Sequence, residues 1–529
     1  MSNWPQKPFP HQIYPDFLTE QEITELLNCQ WETELIEKNN DLYQFKQTAD
    51  IAFDPKFKNI LENKLIKFNE NELTKFCITN KKIKPQNSKN HSINFPSFSA
   101  FYAEYSTGNY LLPHDDKLTR RRFAYIIYLV DQKWDAKTSG GQLDLFDENC
   151  LNVKVSLTPK RGSLVVFEVC KDSWHQVREV FDQDLVRKSI TGWFLGETEW
   201  IDSGKEEEEA IIKSKRPRLE QTWKNLSQHS SDSNDLNLIN QLYLDINIQG
   251  QIQEKFLEQS EILLDDFLSE NDFKSISKEL AILFDKDFDF DDSIIRPGRP
   301  GKQYESISQT LLDDPNGLKS LFKNKSNGVK IDSLIKSFLN ENGQILLSNW
   351  TGLVLHESSA ETDEEKSNFK PLYQVNINKW QAGSYTMLKI PKEEEQKQNN
   401  DDDHEDKCVL DVYLHFNIQD DYSFEKHGGQ ISYMDLSEEP EEDEAEEEEE
   451  NLDDSENEDQ NKNEEQASSS TIKQHSDELM TIVPKNNCLS LIYREPDTKS
   501  FHKYLNYQCC KDKIFLIFRN FWVHYFMSY

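Results

Sequence analysis

With 529 residues the chain has room for two large domains or about three ordinary ones. Apolar residues make up 36% and aromatics 11%, which suits packed domains interrupted by polar inserts and not a wholly disordered chain. The net charge is −36, and sixteen acidic residues without a Lys or Arg lie between Glu438 and Asp459. This argues against binding to a phosphate backbone, so no direct sequence-specific DNA binding is expected.

Residues 1–25 show no basic start followed by an apolar run, and no stretch of about 18 apolar residues follows. The 8 cysteines form no C-x-x-C pair, which speaks against a zinc cluster or a disulfide scaffold. These signs read as a soluble intracellular protein, cytoplasmic, nuclear or both. In chain order, YPDFLTE (14–20) leads into a helix-period stretch with Thr19 as N-cap. Then come GNYLL (108–112), the strand FAYIIYLV (123–130), GGQLDLFD (140–147), LTPK (157–160) and SLVVF (163–167), His175, and ITGWF (190–194). The same blocks return in the same order: LDDFLSE (264–270) with Ser269 as N-cap, GSYTM (383–387), CVLDVYLHF (408–416), GGQISYMD (428–435), IVPK (482–485) and CLSLI (488–492), His502, and FRNFW (518–522). So many matches in one order imply duplication of a whole domain. Short β-branched and aromatic strands between Gly, Pro and Asn turns predict a mainly β, α+β architecture. Two tandem double-stranded β-helix (jelly-roll, cupin-like) domains with flanking helices are expected, the second a degenerate copy. The expected division is 1–203 for the first domain, a polar linker over 204–250, and 251–529 for the second, with acidic inserts at about 393–406 and 436–478.

Chemistry concentrates in the first copy. His114-Asp115-Asp116 follows Tyr110-Leu-Leu-Pro, and residues i and i+2 of a strand share a face, so His114 and Asp116 point together. With His175 they would form the two-His-one-carboxylate set that leaves open metal positions, the arrangement of non-haem Fe(II) oxygenases. The other H-x-D pairs, His404–Asp406 and His475–Asp477, fall in acidic inserts where chance explains them. Twelve residues past His175, Arg187 opens the strand RKSITGWF (187–194). Its planar fork suits the far carboxylate of 2-oxoglutarate. Tyr128 could add a hydroxyl to that carboxylate, with Ser189 the weaker candidate and Trp174 and Trp193 as packing residues. In the second copy Lys389 and Pro391 stand where His114 and Asp116 stand, and only His502 persists, so no metal is expected there.

LLPHDDKLTRRRFAYIIYLV (111–130), SGGQLDLFD (139–147), WHQVREV (174–180) and RKSITGWF closely resemble the ribosomal prolyl 3-hydroxylase family. The resemblance implies a peptidyl-proline 3-dioxygenase that uses Fe(II), 2-oxoglutarate and O2, with ascorbate keeping the iron reduced. It implies His114, Asp116 and His175 as iron ligands, and Tyr128 and Arg187 as the 2-oxoglutarate site. It also implies a small-subunit ribosomal protein at the decoding centre as substrate, an effect on translation termination or accuracy, and a catalytically silent second domain. Other translation factors or mRNA-associated proteins are further candidate partners. Metal site and fold do not set a substrate. A demethylase of the same chemistry and a non-catalytic scaffold in translation or transcription control are therefore the alternatives. The basic cluster 213–218 (KSKRPR) reads equally as a nuclear signal or a solvated charge run.

Overall fold

The computed structural model describes residues 4–79, 97–118, 120–196, 224–225, 235–284, 294–295, 302–307, 312, 322, 328–359, 372–388, 408–435, 478–507 and the backbone of 518–526. The basic cluster 213–218, Lys389, Pro391, His404, His475 and the inserts 393–406 and 436–477 lie outside the described residues.

The first half builds β1 (His11–Tyr14), β2 (Ile36–Asn39), β3 (Tyr43–Gln47), β4 (Ser97–Phe98), β5 (Phe101–Tyr105), β6 (Tyr110–His114), β7 (Arg121–Tyr128), β8 (Leu143–Phe146), β9 (Val153–Leu157), β10 (Leu164–Glu168), β11 (His175–Val177) and β12 (Arg187–Leu195). They pair in the order β1-β10-β7-β12-β5-β3-β6-β11-β8-β9, with β2 on β3 and β4 on β12, and curl into a jelly roll. Strand β7 has two faces because side chains alternate. Phe123, Tyr125 and Ile127 pack outward on Leu26, Phe57, Leu61, Leu65 and Phe76 of the helices before β4. Ala124, Ile126 and Tyr128 pack inward on Phe167, Leu143 and Val177. Each such buried side chain contributes about 1.5–3 kcal/mol. Thr19 caps the helix Glu20–Leu27 as expected, in a reciprocal capping box with Glu22 that stabilises by about 1 kcal/mol.

The second half builds β13 (Lys224–Asn225), β14 (Glu261–Leu264), β15 (Ile294–Ile295), β16 (Lys302–Gln303), β17 (Glu305–Ile307), β18 (Leu372–Trp380), β19 (Tyr385–Thr386), β20 (Val409–Phe416), β21 (Ile431–Asp435), β22 (Glu478–Ile482), β23 (Leu489–Arg494), β24 (Thr498–His502) and β25 (Phe518–Phe526). The path β14-β23-β20-β25-β18 repeats β1-β10-β7-β12-β5, and β22-β21-β24 repeats β9-β8-β11. The duplication read from the sequence is therefore a duplication of topology. Ser269 caps the helix Glu270–Leu283. Leu238, Ile239, Tyr243, Ile252 and Phe256 join the second core. Packing in this half thus reaches into the stretch 204–250 read as linker, where polar composition had hidden Leu238, Ile239 and Tyr243. No helix among the described residues is long and apolar enough to cross a membrane.

Candidate active site

Strand β6 aims His114 by an irregularity and not by alternation. Against β11, His175 pairs with His114 but Val177 pairs with Leu111, so β6 carries an extra residue between the two pairs. Such a bulge re-aims a side chain. Leu111 and His114 line one cavity while Tyr110 and Leu112 turn away into a different cluster. Asp116 lies beyond the strand end, in left-handed backbone at φ +60°. The expected strand pairing of His114 with Asp116 is therefore corrected: a bulge and a strained turn bring them together. A non-glycine residue held there costs about 1 kcal/mol, a strain typical of functional sites.

The result is a three-residue cluster. Asp116 Oδ1 is 3.6 Å from His114 Nε2, and Oδ2 is 3.4 Å from His175 Nε2. Both histidines donate Nδ1–H to a carbonyl two residues back, Leu112 at 2.8 Å and Ser173 at 2.7 Å. This leaves both Nε2 lone pairs facing the carboxylate, as metal ligation requires. Burial, and then the neighbouring His175, hold His114 down to about 4, so it is neutral at physiological pH. Burial opposes the charge of Asp116. The neighbouring His175 and the charges of His114 and Arg121 outweigh it and hold the carboxyl well below its usual range. Among the described residues, His114, Asp116 and His175 form the group of His, Cys or acidic side chains close enough to hold a metal ion.

The triad opens on a cavity of about 530 Å³ whose walls include Arg187, Ser189, Thr191 and Trp193 of β12. Arg187 is 1% exposed. Its Nε donates to Gly141 O at 2.9 Å, its Nη2 meets the Tyr128 hydroxyl at 3.5 Å, and it lies over the rings of Tyr105 and Tyr128. Gly141 has φ +68°, and a Cβ there would come within 2.8 Å of Arg187 Cδ, so a glycine is needed for this approach. No carboxylate of the described residues pairs with Arg187. A buried unpaired guanidinium costs several kcal/mol, which an anion in the cavity would offset. Tyr128 reaches the cavity only through Arg187, whereas Tyr125 faces outward and donates to Ser99 O. Ser189 shares the face of Arg187 as expected.

Sequence reading took Trp193 for a packing residue and passed over Arg121. Trp193 Nε1 donates to Asp116 Oδ2 at 3.0 Å, and the Arg121 guanidinium lies 3.6 Å from the Trp193 ring and 3.4 Å from Asp116 Oδ1. Together they fix the carboxylate. The signal was available, since residues 187, 189, 191 and 193 alternate on one face.

Strand pairing also re-registers the second copy. Leu143 matches Ile431 as before, but Val177 pairs with Leu143 and His502 with Ile431. His502 thus stands at the position of Val177, and Ser500 at that of His175. Likewise Leu164 and Leu489 face Ile127 and Leu414, which places His415 at the position of Tyr128. On β25, Asn520 then matches Ser189 and Phe518 matches Arg187, three residues from the pairing read in the sequence.

Comparison with known proteins agrees with this geometry. Residues 100–195 match the 2OG-Fe(II) oxygenase superfamily, and residues 230–528 match the family described as oxoglutarate and iron-dependent oxygenase degradation C-term. The Xenopus laevis protein named prolyl 3-hydroxylase OGFOD1 is 29% identical over 95% of this chain and 84% of its own. Its Mus musculus namesake is 27% identical over 99% and 89%. The Drosophila melanogaster prolyl 3-hydroxylase sudestada1 is 25% identical over 89% and 74%.

Proposed function

The chain belongs to the oxoglutarate- and iron-dependent oxygenases that carry this C-terminal domain, and from that premise we propose that it hydroxylates C3 of a prolyl residue in a small-subunit ribosomal protein at the decoding centre. The observation that carries the reading is the buried Arg187, without an acidic partner among the described residues, in one cavity with His114, Asp116 and His175. His114, Asp116 and His175 would hold Fe(II) on one face, and Arg187, backed by the Tyr128 hydroxyl, would take the far carboxylate of 2-oxoglutarate. Bound together, they supply the coupled chemistry in which O2 oxidises 2-oxoglutarate to succinate and CO2 and a substrate C–H to C–OH.

The chain's own part is orientation. Gly141 O and Tyr128 set the Arg187 fork, and Trp193 and Arg121 set the Asp116 carboxylate. The apolar walls Ile126, Leu143, Phe167 and Val177 exclude water from the reacting atoms. Ascorbate as reductant, a role in translation termination or accuracy, and a cytoplasmic or nuclear location are parts of the same proposal. The test is tandem mass spectrometry of the small-subunit ribosomal protein incubated with enzyme, Fe(II) and 2-oxoglutarate. One added oxygen on a proline is the expected product. Succinate formed alongside loss of a methyl group would favour a demethylase instead.

A further inference from the structure

The two halves of the chain meet behind the histidine-bearing strands. Tyr110 and Leu112 of β6, with Leu42, pack on Tyr385, Met387 and Tyr504 of the second half. The contact extends to the turn between β2 and β3. Lys503, 6% exposed, donates from Nζ to the carbonyl oxygens of Asn40 and, at 3.4 Å, of Tyr43, and lies over the Tyr110 ring at 5.8 Å. Leu388 N donates to Asp41 Oδ2 at 2.8 Å. Within the turn, Asn40 Oδ1 accepts from Leu42 N and Tyr43 N, and Leu42 O accepts from Leu112 N.

That turn belongs to a hairpin that also walls the cavity. Lys38, Leu42, Tyr43, Phe45 and Gln47 line the cavity that holds the triad and Arg187. Among the described residues β2 pairs only with β3, so the hairpin has a free edge. At the tip β3 pairs with β6, Tyr43 opposite Leu111 and Gln44 opposite Tyr110, so the sheet holds one side of the tip and the second half grips it from outside. Lysine suits the grip because a compact head with several N–H donors on a flexible stem can serve two turn carbonyls. Burial draws the ammonium down to about 7, with the Asp41 charge opposing, and the neutral amine still has one N–H for each carbonyl.

We propose that Lys503 is a positioning residue: through it the second domain holds the β2–β3 hairpin as the substrate-facing wall of the first domain's cavity. Recognition of the prolyl protein is then a property of both domains, although the chemistry belongs to one. This inference rests on the cavity being the hydroxylase site. The 2-oxoglutarate end is built on β12 and meets the hairpin through Phe45, which stacks on Tyr105 beside Arg187 and not at the tip.

The experiment uses the full chain. Lys503→Met keeps the stem and its packing but removes the donors. The KM for the ribosomal protein should rise roughly tenfold, as expected when bonds that serve binding alone are lost, with kcat and the KM for 2-oxoglutarate unchanged. Hydrogen exchange at residues 36–47 should quicken, and Lys503→Arg, which keeps donors, should restore part of both effects. Asp41→Ala, at the tip of the turn, should shift both in the same direction by less, and it decides the matter if Lys503→Met does not fold. Unchanged exchange over 36–47 together with unchanged substrate KM overturns the proposal. If the wild-type chain hydroxylates no prolyl substrate, the exchange data still report whether Lys503 holds the hairpin, so the two failures are distinguishable.

Discussion

The two barrels share a strand path and differ in what fills them. In the first, β12 turns Arg187, Ser189, Thr191 and Trp193 into an open cavity beside His114, Asp116 and His175. In the second, the matching interior is occupied by its own side chains. Trp380 stacks on His502 at 4.0 Å and on Tyr304 at 4.7 Å, and the buried Asp411 accepts from Tyr433 at 2.8 Å and from Arg494 at 3.1 Å. Both carboxylates have an arginine beside them, but the one in the first barrel also faces two imidazoles and the one in the second a tyrosine hydroxyl. The lesson is that the fold supplies a scaffold, and a handful of inward positions decide whether it is a site or a core.

The sharpest break between the barrels lies at the ligands. His114→Ala and Asp116→Ala should each remove iron and reduce 2-oxoglutarate turnover by about 1,000-fold or more, since each deletes a ligand and not a core group. His502→Ala should leave turnover and iron content unchanged. Succinate assays and metal analysis on the three variants decide this, and equal losses in all three would erase the contrast. A smaller effect is expected at Arg187→Lys, which keeps the charge but loses the fork. The KM for 2-oxoglutarate should rise by roughly 10- to 100-fold with iron retained. Normal dependence on 2-oxoglutarate would move the anchor elsewhere.

The smallest effect concerns acid. Burial holds His415 down to about 3, and burial followed by His415 holds His502 to about 3. Both take up protons on unfolding near pH 6.5, so the unfolded state binds more protons below that value. The contribution of these two histidines should therefore be constant above about pH 6.5 and fall as pH drops, by up to about 2 kcal/mol per histidine at pH 5. Urea unfolding at pH 7 and pH 5 checks the sign, and His415→Gln should shrink the difference. A stability that rises on acidification would show these histidines charged in the fold.

Much of this was legible in the sequence because duplication is visible wherever Gly-Gly, Pro-Lys and alternating apolar strands recur. Thr19, Ser269 and the two-faced β7 could be read directly from composition and spacing. Register could not. A bulge inside Tyr110–His114 has no local signature, so His114 and Asp116 came together for a reason other than the one strand alternation suggested. His502 was paired with His175 by residue type, whereas the ladder puts Ser500 there; a two-residue shift keeps the same face and is invisible to a pattern of period two. Trp193 was readable from its alternation with Arg187, but an aromatic in a strand reads first as core. The contact of Lys503 with a turn some 460 residues earlier leaves no trace in local sequence at all.

The central claim is one working site per chain, in the first barrel. Anaerobic equilibrium dialysis against Fe(II) in the presence of 2-oxoglutarate measures it directly. The account predicts one tightly held iron per wild-type chain, none in His175→Ala, and one in a chain carrying Ser500→Ala and His502→Ala. Two irons per wild-type chain, or iron retained without His175, would contradict it.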